Sequence, residues 1–385
     1  MSVLLSAMTL SIVAFAMSLV MAKYARNQNI PFIGCLLCVM FFSLGGVVLG
    51  QEDLVTQIYI SLLPLAFYAF SPFLWLYHKA ITSEVPFVFG KSEIRHWWFV
   101  LPLSIYAVLL LALPRSDFQA LFFGEVSADK AYLQWYALTF FVVLIGWLIS
   151  SLVYLKRIWN NTIRYRRYLK VLFSDVSGRS LYWIEWLTLL ILLIWGYSLT
   201  VLFFEKSHDL LSSTGVSLLL FVFSWLFARW GVQQQPLTNY VPKNLETIDQ
   251  TPATEFTESK YERSALTEED ANRIAKKIER VGIEERLFLD SDLSLFKLSE
   301  HLGVSTQYLS QTFSQNLKTT FFDYVNRARV SVAKDRLLNS DSSVLDVAME
   351  AGFNARSSFY KAFKQETSMT PSEFKQANMS KNKLS

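Results

Sequence analysis

The segment "LSEHLGVSTQYLSQTF" (residues 298–313) is typical of two short helices joined by a tight turn. Apolar residues three and four apart give the first helix one buried face, and Gly303 permits the sharp turn that follows it. Ser305 is a residue type that caps the start of a second helix. Leu309 and Phe313, four residues apart, point that second helix back to the core. A helix, a short turn with Gly and a second helix form a helix-turn-helix unit.

The same pattern returns in "SVLDVAMEAGFNARSSFYKAFK" (residues 343–364). Gly352 and Phe353 occupy the turn, and Phe359 and Phe363 are spaced for the inner face of the next helix. Because a single helix-turn-helix pattern is a weak signal, its repetition within one region is much more specific. The repetition predicts a soluble helical domain that contacts nucleic acid.

The two units are joined by "TTFFDYVNRARVSVAKDRLLN" (residues 319–339), which we expect to form one helix. Such a helix is roughly 30 Å long. That length approaches the ~34 Å between successive major-groove faces of B-DNA, so one connector can present both units to one side of a duplex. The apolar positions expected on its inner face are Phe322, Val325, Ala328, Val332 and Ala333.

Four stretches of this region resemble the AraC/XylS family of bacterial transcription regulators. They are "LSEHLGVSTQYLSQTF" (298–313), "FFDYVNRARVSVAKDRLL" (321–338), "DVAMEAGFNARSSFYKAFK" (346–364) and "MTPSEFK" (369–375). The resemblance covers about the last hundred residues and implies an all-α domain in which two helix-turn-helix units bind promoter DNA. Where the family usually has a soluble sensor, this chain has an apolar region, so no effector-binding residues are carried over. Membrane-tethered members with seven-span N-terminal halves are similar in architecture.

The resemblance also implies which side chains contact DNA bases. Arg356 is the best candidate for a guanine contact, because its planar guanidinium matches two acceptors in the major groove. For every one of these residues, the alternative is an ordinary exposed polar side chain. The candidate base contacts are Gln307, Ser310 and Gln311 in the first unit, and Arg356, Ser357, Ser358, Tyr360 and Lys361 in the second.

Two features depart from the family pattern. Where the family often has Gly after each recognition helix, this chain has Lys318 and Ser368. A left-handed residue at such a position costs roughly 1 kcal/mol when it is not Gly. From Leu293 onward, 12 Lys and Arg residues face 8 Asp and Glu residues, so phosphate attraction is expected to be modest and salt-sensitive.

Up to about residue 231 the sequence is apolar and aromatic, and all eleven tryptophans lie between Trp75 and Trp230. A helix needs about 20 apolar residues to cross the ~30 Å hydrocarbon core of a bilayer. Seven runs approach or exceed that length, and no basic residue precedes the first, unlike in a cleavable signal peptide. The predicted spans are residues 2–22, 30–50, 54–77, 97–113, 131–155, 181–204 and 210–231.

Basic residues are unevenly distributed between the connections of these spans. Twelve Lys and Arg residues follow spans one, three and five, whereas three follow spans two, four and six. Because basic connections remain in the cytoplasm, the N-terminus is expected outside and the C-terminal region inside. The run "NNTIRYRRYLK" (160–170) contributes four of the twelve. Positive-inside bias and attraction to anionic headgroups explain it, and a specific docking role is the alternative.

Residues with catalytic or metal-binding chemistry are sparse in the sequence. Cys35 and Cys38 lie inside an apolar run with no second Cys or His pair nearby, so we interpret them as small apolar side chains. The four histidines are scattered, without metal-ligand spacing. The sequence contains no nucleotide-binding loop, kinase signature or nucleophile elbow. We therefore expect no enzymatic activity, no cofactor and no metal site.

Together these patterns predict an all-α protein in three parts: a seven-helix transmembrane sensor (1–231), a flexible linker (232–263) and an AraC-type double helix-turn-helix DNA-binding domain (264–385). The predicted function is that of a membrane-bound one-component transcriptional regulator in the bacterial inner membrane.

The expected partners are double-stranded promoter DNA, the lipid bilayer and a small-molecule or envelope signal. RNA polymerase and a second copy of the chain are further candidates. The alternative function is a membrane receptor or transporter with a regulatory cytoplasmic tail. Sparse intramembrane charge argues against an ion-coupled transporter.

Overall fold

The computed structural model describes residues 1–23, 26–49, 53–124, 130–204, 213–241, 266–340 and 342–382. Within these ranges the chain is helical and has no β-sheet, which confirms the predicted all-α fold. Residues 242–265, which hold most of the predicted linker, lie outside the described ranges.

The chain divides into two compact units. The first contains Met1–Thr162 and Tyr182–Tyr240, and the second contains Ile163–Leu181 together with Val241–Ser385. The sequence predicted a division near residue 231, but it did not predict that an internal segment would join the C-terminal unit.

The first unit is built from long apolar helices. Seven helical stretches of the described residues are long and apolar enough to cross a membrane, in agreement with the seven predicted runs. Residues 163–172, at the end of α7, belong to the second compact unit. The helices that lie wholly or mostly in the first compact unit are α1 (Ser2–Lys23), α2 (Arg26–Val48), α3 (Leu54–Thr82), α4 (Lys91–Ile94), α5 (Val100–Leu111), α6 (Arg115–Phe122), α7 (Ala131–Leu172), α8 (Tyr182–Phe204) and α9 (Ser213–Gln233).

Two of these helices differ from the predicted spans. Helix α7 has 42 residues and does not end at residue 155, where the apolar run ends. Residues 156–172 are more polar but contain neither Pro nor Gly, so the hydropathy changes there while the helix continues. Helix α6 was not predicted; it begins directly after Pro114, a residue that cannot continue the preceding helix α5.

Buried polar side chains in the first unit bond to one another between helices. Ser71 Oγ donates to Ser151 Oγ at 2.9 Å, which joins α3 to α7. About two turns later in α3, His78 Nε2 lies 2.8 Å from Thr162 Oγ1 of α7, and His78 Nδ1 lies 3.3 Å from Asn161 Nδ2 of the same helix. An unpaired polar group in an apolar interior costs several kcal/mol, so these pairs fix how α3 packs on α7.

The second unit consists of shorter helices with polar caps. The predicted cap Ser305 is confirmed, and Thr267 caps α10 in the same way, because each side chain accepts a hydrogen bond from the backbone N–H three residues later. The helices are α10 (Glu268–Glu284), α11 (Leu295–Leu302), α12 (Thr306–Gln311), α13 (Phe321–Asn339), α14 (Val344–Glu350), α15 (Arg356–Thr367) and α16 (Pro371–Asn382).

Helix α13 confirms the predicted connector, but its buried face differs from the prediction. Phe322, Ala328 and Val332 are only half-buried, whereas the polar Asn326 and Arg329 are buried. Both polar side chains donate hydrogen bonds to buried oxygen atoms, so the inner face follows those acceptors as well as apolar spacing. The buried residues of α13 are Phe321, Val325, Asn326, Arg329, Val330, Ala333 and Leu337.

The core of the second helix-turn-helix unit forms around aromatic side chains. Phe359 and Phe363 are fully buried, Phe353 is nearly so, and the rings of Phe359 and Phe363 lie 5.4 Å apart edge to face. Phe363 also packs edge to face on Phe374 of α16. The predicted inward positions of both helical phenylalanines are therefore confirmed.

Replacing Phe363 with Ala should lower the free energy of unfolding of the C-terminal unit by about 3–5 kcal/mol, because a buried ring is replaced by a cavity. The measurement is pulse proteolysis of the full-length protein in detergent across a urea series. Gln365→Ala, at an exposed position of the same helix, should change stability by less than about 0.5 kcal/mol. Equal effects of the two substitutions would contradict the described core.

Candidate nucleic-acid interface

The first helix-turn-helix unit consists of α11, a turn and α12. Ser294 caps α11, and Gly303 ends it in the left-handed conformation with φ of 61°. Gly is favoured there because other residues are strained at positive φ. After the turn, Ser305 caps α12, and the buried Leu309 and Phe313 hold that helix against the core. The outer side of α12 is thereby left as the surface of this unit.

The three predicted base contacts of α12 differ in how exposed their side chains are. Gln307 is exposed and Ser310 is half-buried, so both lie on the outer side. Gln311 is only 4% exposed, and its Nε2 donates to Gln315 Oε1 at 3.0 Å. The expectation that Gln311 faces outward is therefore wrong.

The burial of Gln311 has a tertiary cause. Helix α10 packs against α12 and the π-helical turn that follows it (Thr312–Asn316), where Asn316 Nδ2 donates to Asn272 Oδ1 at 2.8 Å. The apolar spacing of α12 alone indicates only one covered side. The helix has a second covered side because α10 lies along it.

The second helix-turn-helix unit consists of α14, a turn and α15. Gly352 has φ of 86°, and a Cβ atom there would lie 2.5 Å from the backbone oxygen of Leu289. Gly352 thus allows both the turn and a close approach to the loop that precedes α11. Phe353 and Phe359 follow it into the core, so the turn and the start of α15 have a fixed position.

The outer face of α15 carries the other five predicted base contacts. Arg356, Ser357 and Lys361 are exposed, while Ser358 and Tyr360 are half-buried. All five thus retain accessible surface, and their contact with bases remains a prediction.

Arg356 and Tyr360 form a pair on this face. The guanidinium carbon lies 4.9 Å from the centre of the tyrosine ring, and Arg356 Nη2 donates to the hydroxyl at 3.1 Å. The hydrogen bond with Ser372 and then that from Arg356 lower the pKa of Tyr360. Stacking on an aromatic ring restricts the guanidinium, so less side-chain entropy is lost when it binds a ligand.

Arg329, in the middle of α13, was not singled out by the sequence but bonds to the loop before α11. Its side chain is 1% exposed. Nε donates to the backbone oxygen of Phe288 at 2.7 Å, and Nη2 donates to that of Asp290 at 2.8 Å. Burial lowers its pKa to about 10, against the attraction of Asp175 and Asp290, so it is protonated at neutral pH. The buried cation holds the loop before α11 against the connecting helix.

Comparison with known proteins agrees with this geometry. A family model described as a helix-turn-helix domain matches residues 298–377. Residues 298–377 form an AraC-type helix-turn-helix domain.

Curated relatives match part of this chain. An HTH-type transcriptional regulator of Staphylococcus aureus strain COL is 33% identical over 113 residues, which cover 29% of this chain and 14% of the relative. The melibiose operon regulatory protein of Escherichia coli K12 is 28% identical over 86 residues, or 22% of this chain and 28% of that protein. The chain therefore spans only a small part of the length of these relatives.

Two solved structures show the same limited overlap. The C-terminal domain of AraT, a response regulator from Geobacillus stearothermophilus, is 26% identical and has a TM-score of 0.25. The matched part is 30% of this chain and 88% of the AraT domain. The C-terminal domain of the response regulator yesN from Fusobacterium nucleatum is 32% identical and has a TM-score of 0.24. The matched part is 26% of this chain and 98% of the yesN domain.

The AraC-type domain adopts left-handed backbone at both departures from the family pattern. Lys318 has φ of 51° and Ser368 has φ of 60°, and both are exposed. Ser368 N–H donates to the backbone oxygen of Lys364 at 2.9 Å, which closes the last turn of α15. Both residues thus adopt the backbone that glycine favours at such a position, and each carries the cost of a side chain there.

Ser368→Gly should raise the free energy of unfolding of the AraC-type domain by about 1 kcal/mol, because Gly adopts this backbone without the steric penalty. The matched control is Ser331→Gly, at an exposed position inside α13, which should lower stability by about 0.5 kcal/mol. Urea-dependent pulse proteolysis of the full-length protein measures both changes. A loss of stability in Ser368→Gly would contradict the left-handed cap.

Proposed function

We propose that the protein is a membrane-bound one-component transcriptional regulator, which senses a signal through its apolar N-terminal unit and binds promoter DNA through its AraC-type domain. One observation carries the proposal: a single chain joins seven helices of membrane-spanning length to a domain with two helix-turn-helix units. A stimulus in the envelope or bilayer and a target on DNA can thus act on the same molecule.

The surface of the N-terminal compact unit supports its placement in a membrane. Large apolar side chains point outward from its helices, with Leu101 71% and Trp135 69% exposed. Contiguous apolar surface of this kind is unfavourable in water and favourable in lipid. The excess of basic residues in alternate connections supports an outside N-terminus and a cytoplasmic C-terminal domain, where DNA is accessible.

The surface of the AraC-type domain supports sequence-specific binding. We assign base contacts to Gln307 and Ser310 on α12 and to the five accessible residues of α15, with Arg356 as the main guanine contact. The named relative from Escherichia coli regulates an operon, which supports a promoter as the target of this domain. RNA polymerase and a second copy of the chain are the protein partners that this role suggests.

Signal sensing requires that the stimulus favour one of two states of the protein. A small-molecule or envelope signal that binds the membrane unit differently in those states shifts DNA binding by at most its differential affinity. No catalytic step is needed for this coupling, so regulation follows from binding equilibria alone.

Arg356→Ala should weaken binding to the target sites by about 1–3 kcal/mol, or roughly 5-fold to 150-fold, because a bidentate base contact is lost. The measurement is recovery of chromosomal DNA after cross-linking of the tagged full-length protein in its host. Arg273→Ala, at an exposed position of α10, is the matched control and should leave the sites unchanged. Discrete sites that survive Arg356→Ala, or no sites for the wild type, would contradict the proposed function.

The proposed topology predicts the outcome of reporter fusions. Green fluorescent protein fused after Ser385 should fluoresce, because the fusion point is cytoplasmic, whereas alkaline phosphatase fused there should be inactive. Alkaline phosphatase inserted between Leu113 and Pro114 should be active, because the connection between α5 and α6 lies outside. The reverse pattern would overturn the assigned orientation.

A further inference from the structure

The connection between α7 and α8 belongs to the same compact unit as the AraC-type domain. Ile163–Leu181 group with the C-terminal residues by their contacts, although α7 and α8 both lie in the membrane-length series. The basic run at 160–170 is not the main docking element, although Lys170 Nζ lies 5.5 Å from the centre of the Phe322 ring. The contacts concentrate in residues 173–175, here called the docking tripeptide.

The docking tripeptide pairs with the loop and cap that start the first helix-turn-helix unit. Phe173 and Ser294 form an isolated antiparallel β-bridge. Ser174 donates twice to the backbone oxygen of Leu293, from N at 3.2 Å and from Oγ at 2.6 Å. Phe173 is 4% exposed and Ser174 is 1% exposed, so the tripeptide is inserted in the domain and does not merely touch its surface.

The same tripeptide bonds to the connecting helix α13. Asn326 Nδ2 donates to the backbone oxygen of Ser174 at 3.3 Å, and Arg329 Nη2 donates to Ser174 Oγ at 3.0 Å. Ser174 is thus one of three residues whose oxygen atoms accept hydrogen bonds from the buried guanidinium of Arg329. A buried cation that loses an acceptor leaves a donor unsatisfied, which is costly, so withdrawal of Ser174 disturbs the centre of the domain.

The third contact reaches the second helix-turn-helix unit. Asn354 Nδ2 donates to Asp175 Oδ2 at 3.0 Å and to the backbone oxygen of Ser291 at 3.1 Å. Asn354 lies two residues before Arg356, in the turn that leads into α15. One amide therefore joins the turn of the second unit both to the loop before the first unit and to the docking tripeptide.

The docking tripeptide is itself held in shape by its own loop. Arg179 Nη1 donates to the backbone oxygen of Asp175 at 2.8 Å, and the guanidinium lies 4.7 Å from the centre of the Phe173 ring. Burial opposes ionisation of Asp175, but hydrogen bonds from Ser177 and Asn354 and the charge of Arg179 together lower its pKa. The loop therefore presents a fixed set of acceptors to the domain.

We propose that residues 173–175 act as a brace that holds the two helix-turn-helix units in their DNA-binding arrangement, and that signals act by seating or withdrawing this brace. It contacts the start of the first helix-turn-helix unit, the connecting helix α13 and the turn of the second helix-turn-helix unit. Fixing two binding modules in the arrangement that a two-part site requires raises affinity by removing an ordering cost. Since the loop is covalently continuous with α7 and α8, a rearrangement of those helices acts on the brace directly. This inference rests on the proposed function.

A disulfide tests the seating of the brace without reference to DNA. Ser174 N–H bonds to the oxygen of Leu293, which makes Phe173 and Ser294 a non-hydrogen-bonded pair with Cα atoms about 4.5 Å apart, within disulfide range. Phe173→Cys with Ser294→Cys, in full-length protein with an engineered protease site between residues 242 and 265, is oxidised in native membranes. After cleavage the two fragments should migrate together on a non-reducing gel.

Matched controls make the linking result specific. Each single variant should give separate fragments, as should Phe173→Cys combined with Ser331→Cys, since Ser331 is exposed on α13. No linking of the Phe173→Cys and Ser294→Cys pair, or equal linking of the control pair, overturns the docked position.

DNA binding tests the direction of the effect. The probe is the chromosomal fragment most enriched by cross-linking of the wild type, titrated with full-length protein in nanodiscs. The oxidised disulfide variant should bind at least as tightly as its reduced form. Ser174→Ala with Asp175→Ala should bind about tenfold more weakly on the complete site, a loss of about 1.4 kcal/mol. Ser331→Ala, the matched control, should bind like the wild type.

A second probe separates bracing from misfolding. On a shortened fragment that carries only the half-site of the second unit, the double Ala variant and the wild type should bind equally, because one unit needs no brace. Loss of binding on oxidation, or undiminished binding of the double Ala variant on the complete site, overturns the brace. If the wild type binds no DNA, the proposed function fails and the brace with it, while the linking result still decides where the tripeptide sits.

Discussion

The C-terminal unit depends on the burial of one positive charge. The guanidinium of Arg329 bonds to two backbone oxygens before α11 and to the hydroxyl of Ser174, while the carboxylates of Asp175 and Asp290 attract it without direct contact. Dehydrating a cation costs several kcal/mol unless each donor finds an acceptor. The acceptors come from separate parts of the sequence, so those parts must be assembled together. An apolar side chain at this place would pack as well, but it would not select the same neighbours.

The two helix-turn-helix units share a plan but present different chemistry. The outer side of α12 carries neutral side chains, Gln307 and Ser310, whereas α15 presents Arg356 with Lys361. Since phosphate attraction supplies most non-specific affinity for DNA, the proposed function makes the second helix-turn-helix unit the stronger electrostatic anchor. In the same proposal, the first helix-turn-helix unit discriminates between bases by neutral hydrogen bonds. The stacking of Arg356 on Tyr360 adds order to the anchor before any DNA is bound.

Local features of this protein were predictable and tertiary features were not. Caps such as Ser305, the left-handed Lys318 and Ser368, and the inward Phe359 and Phe363 follow from interactions within a few residues, so the sequence alone indicates them. The burial of Gln311 depends on α10, and the polar inner face of α13 depends on distant oxygens. The insertion of Ser174 joins positions more than one hundred residues apart, and no periodicity records such a contact. The sequence predicted the exposure of the residues on α15 and misjudged one side of α12, and contact with bases stays a prediction for all of them.

Helix α7 has a mechanical consequence. Its 42 residues make a rod of about 63 Å, roughly twice the ~30 Å thickness of the hydrocarbon core. In the proposed membrane arrangement, about half of the rod extends beyond the lipid without Pro or Gly to bend it. A rigid rod pivoting by 10° moves a point ~30 Å from the pivot by about 5 Å. That displacement exceeds the length of any hydrogen bond made by Ser174, so in the proposed function a slight tilt of the rod is enough to strain those bonds while the domain is held on DNA.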